Sequence, residues 1–73
     1  MNRTIGRRVK IAREGLAYTR KEFARELGMK PKRLRKVEEG RIGIEAAALG
    51  VVAKLSGRSL SFLVHGRASA AAE

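Results

Sequence analysis

Tyr18-Thr19-Arg20-Lys21-Glu22-Phe23-Ala24, followed by Leu27-Gly28-Met29-Lys30-Pro31-Lys32-Arg33-Leu34-Arg35-Lys36-Val37, contains two helix starts and one helix stop in close succession. Thr19 to Glu22 form a capping box: the Thr19 hydroxyl accepts from the Glu22 amide, and the Glu22 carboxylate accepts from the Thr19 N–H. Tyr18 and Phe23 lie at the two ends of a hydrophobic staple. Phe23, Ala24 and Leu27 then give a buried stripe, and Gly28 suits a left-handed turn just past the helix end. This spacing predicts a short helix over residues 20–27. Only Met29 and Lys30 separate Gly28 from Pro31, the sole proline. Proline favours the first helical position, where its missing N–H is not needed. A further helix from Pro31 to about Glu39 buries Leu34 and Val37, and Gly40 stops it. At about 100° per residue, Lys32 and Lys36 fall opposite that apolar pair, with Arg33 and Arg35 on the flanks. The second helix of the pair therefore has a narrow greasy face and a broad basic one, which places it at the surface.

Outward from this centre, Ile5, Val9, Ala12 and Leu16 recur at helical spacing. They predict a first helix over about residues 3–15, begun near Asn2 or Thr4 and ended at Gly15. After a loop from Arg41 to Ile44, Glu45 to Ser56 reads as a fourth helix carrying Ala46, Leu49, Val52, Ala53 and Leu55. Gly50 within it costs about 1 kcal/mol relative to alanine, so it is expected to mark a close helix contact. Gly57 ends that helix, Ser59 caps a fifth with Leu60, Phe62, Leu63 and Val64, and Gly66 closes it. No segment alternates with a period of two. The expected fold is all-α, five short helices over residues 1–66, with a frayed tail at 67–73.

The chain has 73 residues, 17 of them basic and 7 acidic, for a net charge of +10. Its hydrophobic fraction of 44% supports a core and argues against a disordered polycation. It has no cysteine, hence neither a disulfide nor a thiolate metal site. The longest apolar run, Ala46 to Leu49, falls far short of the ~20 residues of a membrane span, and Arg3, Arg7, Arg8 and Lys10 interrupt any signal-peptide core. A cytoplasmic, nucleoid-associated protein is the expectation. The charge is uneven: residues 1–41 hold 14 basic and 5 acidic residues, a net of +9, and the remainder holds a net of +1. The run Lys30 to Lys36 has five positive residues in seven. Such lopsidedness is an electrostatic footprint for a polyanion.

Two short helices joined at Gly28, the second basic and opened by proline, form a helix-turn-helix pattern. Here the sequence resembles the lambda-repressor/Cro-like (XRE) family of DNA-binding domains. The resemblance is carried by Arg13-Glu14, Tyr18 to Ala24, Leu27-Gly28-Met29, Leu34-Arg35-Lys36-Val37-Glu38-Glu39-Gly40, Ala53-Lys54 and Gly57-Arg58-Ser59-Leu60. It runs without gaps from about Ile5 to Val64. It implies that Arg13 and Glu38 form an internal ion pair tying the first helix to the recognition helix. It places Arg20 where the family usually has a phosphate-binding glutamine, a departure that keeps the phosphate contact and loses the amide's role in orienting a neighbour. Lys30, Pro31, Lys32, Arg33 and Lys36 fall on the recognition positions, where the family often has Ser, Thr or Gln. Lys30 stands where the helix cap belongs and offers no acceptor. The resemblance also implies a homodimer formed through the C-terminal region, with Leu60, Phe62, Leu63 and Val64 at its interface.

The residues themselves support the same chemistry. Lys32 and Lys36, one turn apart, suit guanine O6 and N7 in a major groove, with Lys30 and Arg33 as further base contacts. Arg20, Arg35 and Arg41 are expected on backbone phosphates. Six neutralised phosphates give a salt slope of roughly −5, and two dimerised domains read half-sites about 34 Å apart. The expected partner is double-stranded DNA and the expected role a transcriptional regulator, a repressor or autoregulator, since no second domain is present to sense a ligand. An antitoxin, a restriction controller or an adaptor bound to a cognate protein such as a toxin shares the same pattern. Single-strand RNA binding lacks its aromatic platform, because Tyr18, Phe23 and Phe62 are the only aromatics. Leu34 and Val37 are too few for membrane insertion. No catalysis, cofactor or metal is expected: His65 is the only histidine and falls at a helix end. Glu38 and Glu39 are adjacent and point to different sides.

Overall fold

The computed structural model describes residues 2–66. Five helices follow one another, with no strand among the described residues: α1 (Asn2–Gly15), α2 (Arg20–Leu27), α3 (Pro31–Glu38), α4 (Ala46–Ser56) and α5 (Leu60–His65). The all-α architecture expected from the periodicity is the one observed. The expected tail, 67–73, lies outside the described residues.

Local chemistry accounts for the helix ends. Thr19 Oγ1 accepts from the Glu22 amide at 3.1 Å, and the Thr19 amide donates to Glu22 Oε1 at 2.9 Å. The staple closes with the Tyr18 and Phe23 rings 5.3 Å apart. Gly28, at φ 69°, turns α2 off in a Schellman arrangement: the Met29 amide donates to the Ala24 carbonyl and the Gly28 amide to the Arg25 carbonyl. The same two bonds recur at Gly40, from Arg41 to Lys36 and from Gly40 to Val37, so α3 ends one residue short of the expected Glu39. Pro31 opens α3 behind Lys30, whose side chain makes no capping bond. Glu45 precedes α4 as its cap residue, outside the helix and also without a side-chain bond. Ser59 Oγ accepts from the Phe62 amide at 3.0 Å and caps α5.

Val9, Phe23, Leu34, Val37, Val52 and Leu63 are the largest fully buried side chains, so all five helices contribute to one core. α3 packs on α1 and α2; α4 packs on α1, α2 and α5. This geometry corrects two expectations. Gly50 is not a contact point, because a Cβ there meets nothing within 4 Å. The close approach is at Gly6, where a Cβ would run into the Val37 carbonyl oxygen and force α1 away from α3. The second correction is Leu63, expected at a dimer interface; it is 0% exposed in the monomer core. The first helix ends at Gly15, as its sequence predicts. The left-handed residue of the turn that follows is Ala17, at φ 60°. Ala17 donates to the Glu14 carbonyl and Tyr18 to the Arg13 carbonyl, again the Schellman pattern.

Candidate nucleic-acid interface

The basic helix α3 is seated by two apolar side chains and one charged one. Leu34 and Val37 face the core, and Glu38 is buried beside them. Everything else on the helix is exposed, including Lys32, Arg33, Arg35 and Lys36. Gly6 allows α1 to lie directly against the Val37 carbonyl, which fixes how deep α3 sits.

Glu38 is the polar anchor of this arrangement. Its carboxylate is 1% exposed and carries two arginines. From α1, Arg13 Nε donates to Oε2 at 2.7 Å and Nη2 to Oε1 at 3.2 Å, a two-pronged contact. From α2, Arg20 Nε donates to Oε1 at 2.9 Å. Arg13 Nη1 also donates to the Tyr18 carbonyl at 2.9 Å, which holds the strained turn at Ala17. A single carboxylate on α3 thus ties down both preceding helices. The second partner, Arg20, was expected only on a phosphate. Its side chain remains about one-third exposed (36%). Sequence spacing contains no signal for this cross-helix bond.

The remaining cations divide into two groups. Lys30, Lys32, Arg33 and Lys36 line one open concavity of ≈ 340 Å³ together with Ile42. Among the described residues none of these four cations has a carboxylate within ion-pair distance. Ile42, in the loop after α3, supplies the apolar part of the lining. Arg35 and Arg41, in contrast, share Glu39: Arg35 Nε lies 3.2 Å from Oε2 and Arg41 Nη1 lies 3.6 Å from Oε1. The hydrogen bond from Arg35, then the charges of Arg35, Arg41 and Arg20, hold the Glu39 carboxyl below the usual carboxylate range. The structure therefore groups the four expected base-contact residues on one concavity and gives each of the three expected phosphate-contact residues a carboxylate partner.

At the opposite end, Leu60 is 49% exposed, while Phe62 and Val64 are half-buried. The Arg58 guanidinium lies over the Phe62 ring, 4.8 Å from its centroid. Arg8, absent from the expected site, donates from Nη1 to the Leu63 and Val64 carbonyls at 3.2 and 3.0 Å, satisfying the last turn of α5. His65 is exposed at the end of that helix. Among the described residues no group of three or more His, Cys, Asp or Glu side chains converges on a point, and no helix is long and apolar enough to cross a membrane.

A family model described as "Helix-turn-helix" matches residues 9–63, from the buried Val9 of α1 to the buried Leu63 of α5. No match is found among curated proteins or among solved structures.

Proposed function

This chain is a member of the lambda-repressor/Cro-like helix-turn-helix family, a family of DNA-binding regulators, and we propose that it carries its recognition function on α3, which enters the major groove of a specific double-stranded operator. The observation that carries this reading is the concavity of Lys30, Lys32, Arg33 and Lys36, four exposed cations on α3 and its cap residue with no carboxylate partner among the described residues. Unpaired donors at helical spacing match the paired acceptors O6 and N7 of guanine, so the half-site is G-containing. Arg20, Arg35 and Arg41 supply phosphate contacts around that face and set its register on the duplex. Two copies joined through Leu60, Phe62 and Val64 of α5 read inverted half-sites about one helical turn apart, roughly 34 Å. Regulation is by occupancy: a DNA-bound domain of this size represses by covering its operator, its own promoter included.

Selection from a random duplex library at about 0.15 M salt, where exposed charges are substantially screened, tests the proposal. The expected result is enrichment of an inverted repeat with half-sites one turn apart. Retention of DNA without enrichment of any sequence overturns base reading and leaves only a backbone binder.

A further inference from the structure

Glu39 is out of place on a surface built to attract a polyanion. It follows Glu38 directly, yet the two carboxylates have opposite surroundings. Glu38 is sealed between helices, whereas Glu39 is 39% exposed at the end of α3. Its two oxygens are divided between Arg35 and Arg41, whose side chains are 65% and 69% exposed. Arg35, Arg41 and Glu39 line a second open concavity of ≈ 180 Å³, together with Lys32 and Lys36. Four cations thus surround one carboxylate, next to the concavity assigned to base reading.

We propose that Glu39 is an internal stand-in for a DNA backbone phosphate: it holds Arg35 and Arg41 in the free protein and is displaced from them when a duplex phosphate docks between them. The inference rests on the reading of α3 as the DNA interface and names a regulator of affinity within it. Arg35 gives Glu39 one hydrogen bond and Arg41 one ion-pair contact; guanidiniums bind carboxylate and phosphate oxygens alike through such charge-assisted contacts, so the seat is organised before DNA arrives. Exposed ion pairs of this type are weak, so exchange is easy. The displaced carboxylate stays close to the polyanion and opposes it. Glu39 therefore lowers affinity for every duplex equally and makes stable occupancy depend on the base contacts of Lys32 and its neighbours.

The test is equilibrium binding of a random-sequence DNA duplex to the wild-type protein and to Glu39→Gln, between roughly 0.05 and 0.2 M salt. Removing one charge a few ångströms from a phosphate is expected to tighten binding on the order of five- to tenfold, with a log–log salt slope steeper by about 0.9. Arg41→Ala is expected to weaken binding more in the Glu39→Gln background than in wild type, because only there is Arg41 free of its internal partner. Unchanged affinity and slope for Glu39→Gln overturn the proposal, as does weaker binding, which makes Glu39 a group that DNA needs. If the wild-type protein binds no duplex even at about 0.05 M salt, the interface itself is misassigned; binding without the Glu39 effect overturns this inference alone.

Discussion

Arg13 Nε and Glu38 Oε2 lie 2.7 Å apart across the interface between α1 and α3, and the Glu38 carboxylate is almost fully sealed from water. A buried pair of this kind contributes less through its own attraction than through the cost of breaking it, because the surviving partner is left buried and uncompensated. Glu38→Ala strands Arg13 and also releases Arg20 from α2. The expected loss is about 3 kcal/mol, which in a domain of this size lowers the thermal midpoint by more than about 10 °C. Calorimetry or circular dichroism checks it; an unaltered midpoint removes Glu38 from its role as anchor.

Three backbone positions predict opposite signs for similar substitutions. Gly50 is helical and a Cβ there meets nothing within 4 Å, so Gly50→Ala is expected to stabilise by about 1 kcal/mol. Ala17 sits at φ 60° with no glycine to relieve it; Ala17→Gly removes a left-handed strain of roughly 1 kcal/mol, less what the freer unfolded chain takes back. Gly6→Ala has no such room, since the new Cβ meets the Val37 carbonyl, and it is expected to destabilise by at least about 2 kcal/mol. Urea midpoints rank the three. A neutral Gly6→Ala contradicts the close seating of α3 on α1.

These glycines also mark where sequence reading succeeded and where it stopped. Stop signals at Gly28, Gly40, Gly57 and Gly66 are local, because a left-handed φ at a helix end is a property of a few consecutive residues, and all four glycines have positive φ. The capping box at Thr19 is local in the same sense, and so is the apolar spacing that seats α3. What a helix meets from another helix is not local. Gly6 and Gly50 are both glycines inside helices, and only the crossing of α1 over α3 distinguishes them. Leu63 was grouped with Leu60, Phe62 and Val64 on one apolar helix; the direction of α5 against the core sends Leu63 inward and leaves Leu60 out. For the interface, the family resemblance implied the Arg13–Glu38 contact, and the i,i+4 spacing of Arg35 and Glu39 is local, while the partner of Arg20 on another helix follows only from three-dimensional placement.

The capping box gives a pH dependence of definite sign. The Thr19 backbone N–H and then its hydroxyl hold the Glu22 carboxyl below its ordinary value of 4.5. A group with a lowered folded-state pKa contributes stability that is complete above the unfolded value and is lost as pH falls through the folded one. Wild-type stability therefore contains a component that disappears as pH drops below about 4.5, and Glu22→Gln lacks it. The gap in urea midpoint between wild type and Glu22→Gln is expected to be widest at neutral pH and to narrow in acid. A gap that stays constant down the acid range means that ionisation of Glu22 is not what closes the cap.

Lys32 separates base reading from general attraction. It is exposed on α3, lines the cationic concavity and has no carboxylate partner among the described residues, so its removal leaves the core untouched. Lys32→Ala is expected to leave the thermal midpoint within the narrow range of surface substitutions, about 0.5 kcal/mol either way. On the duplex it is expected to cost about 1–3 kcal/mol at the selected operator and to relax the preference at one base pair. Arg41→Ala makes the contrast, weakening all sequences alike and reducing the salt slope by about 1. Competition binding with a panel of single-base operator variants distinguishes the two. If Lys32→Ala weakens every duplex by the same factor, Lys32 holds a phosphate, and α3 lies in the groove rotated away from the face proposed for it.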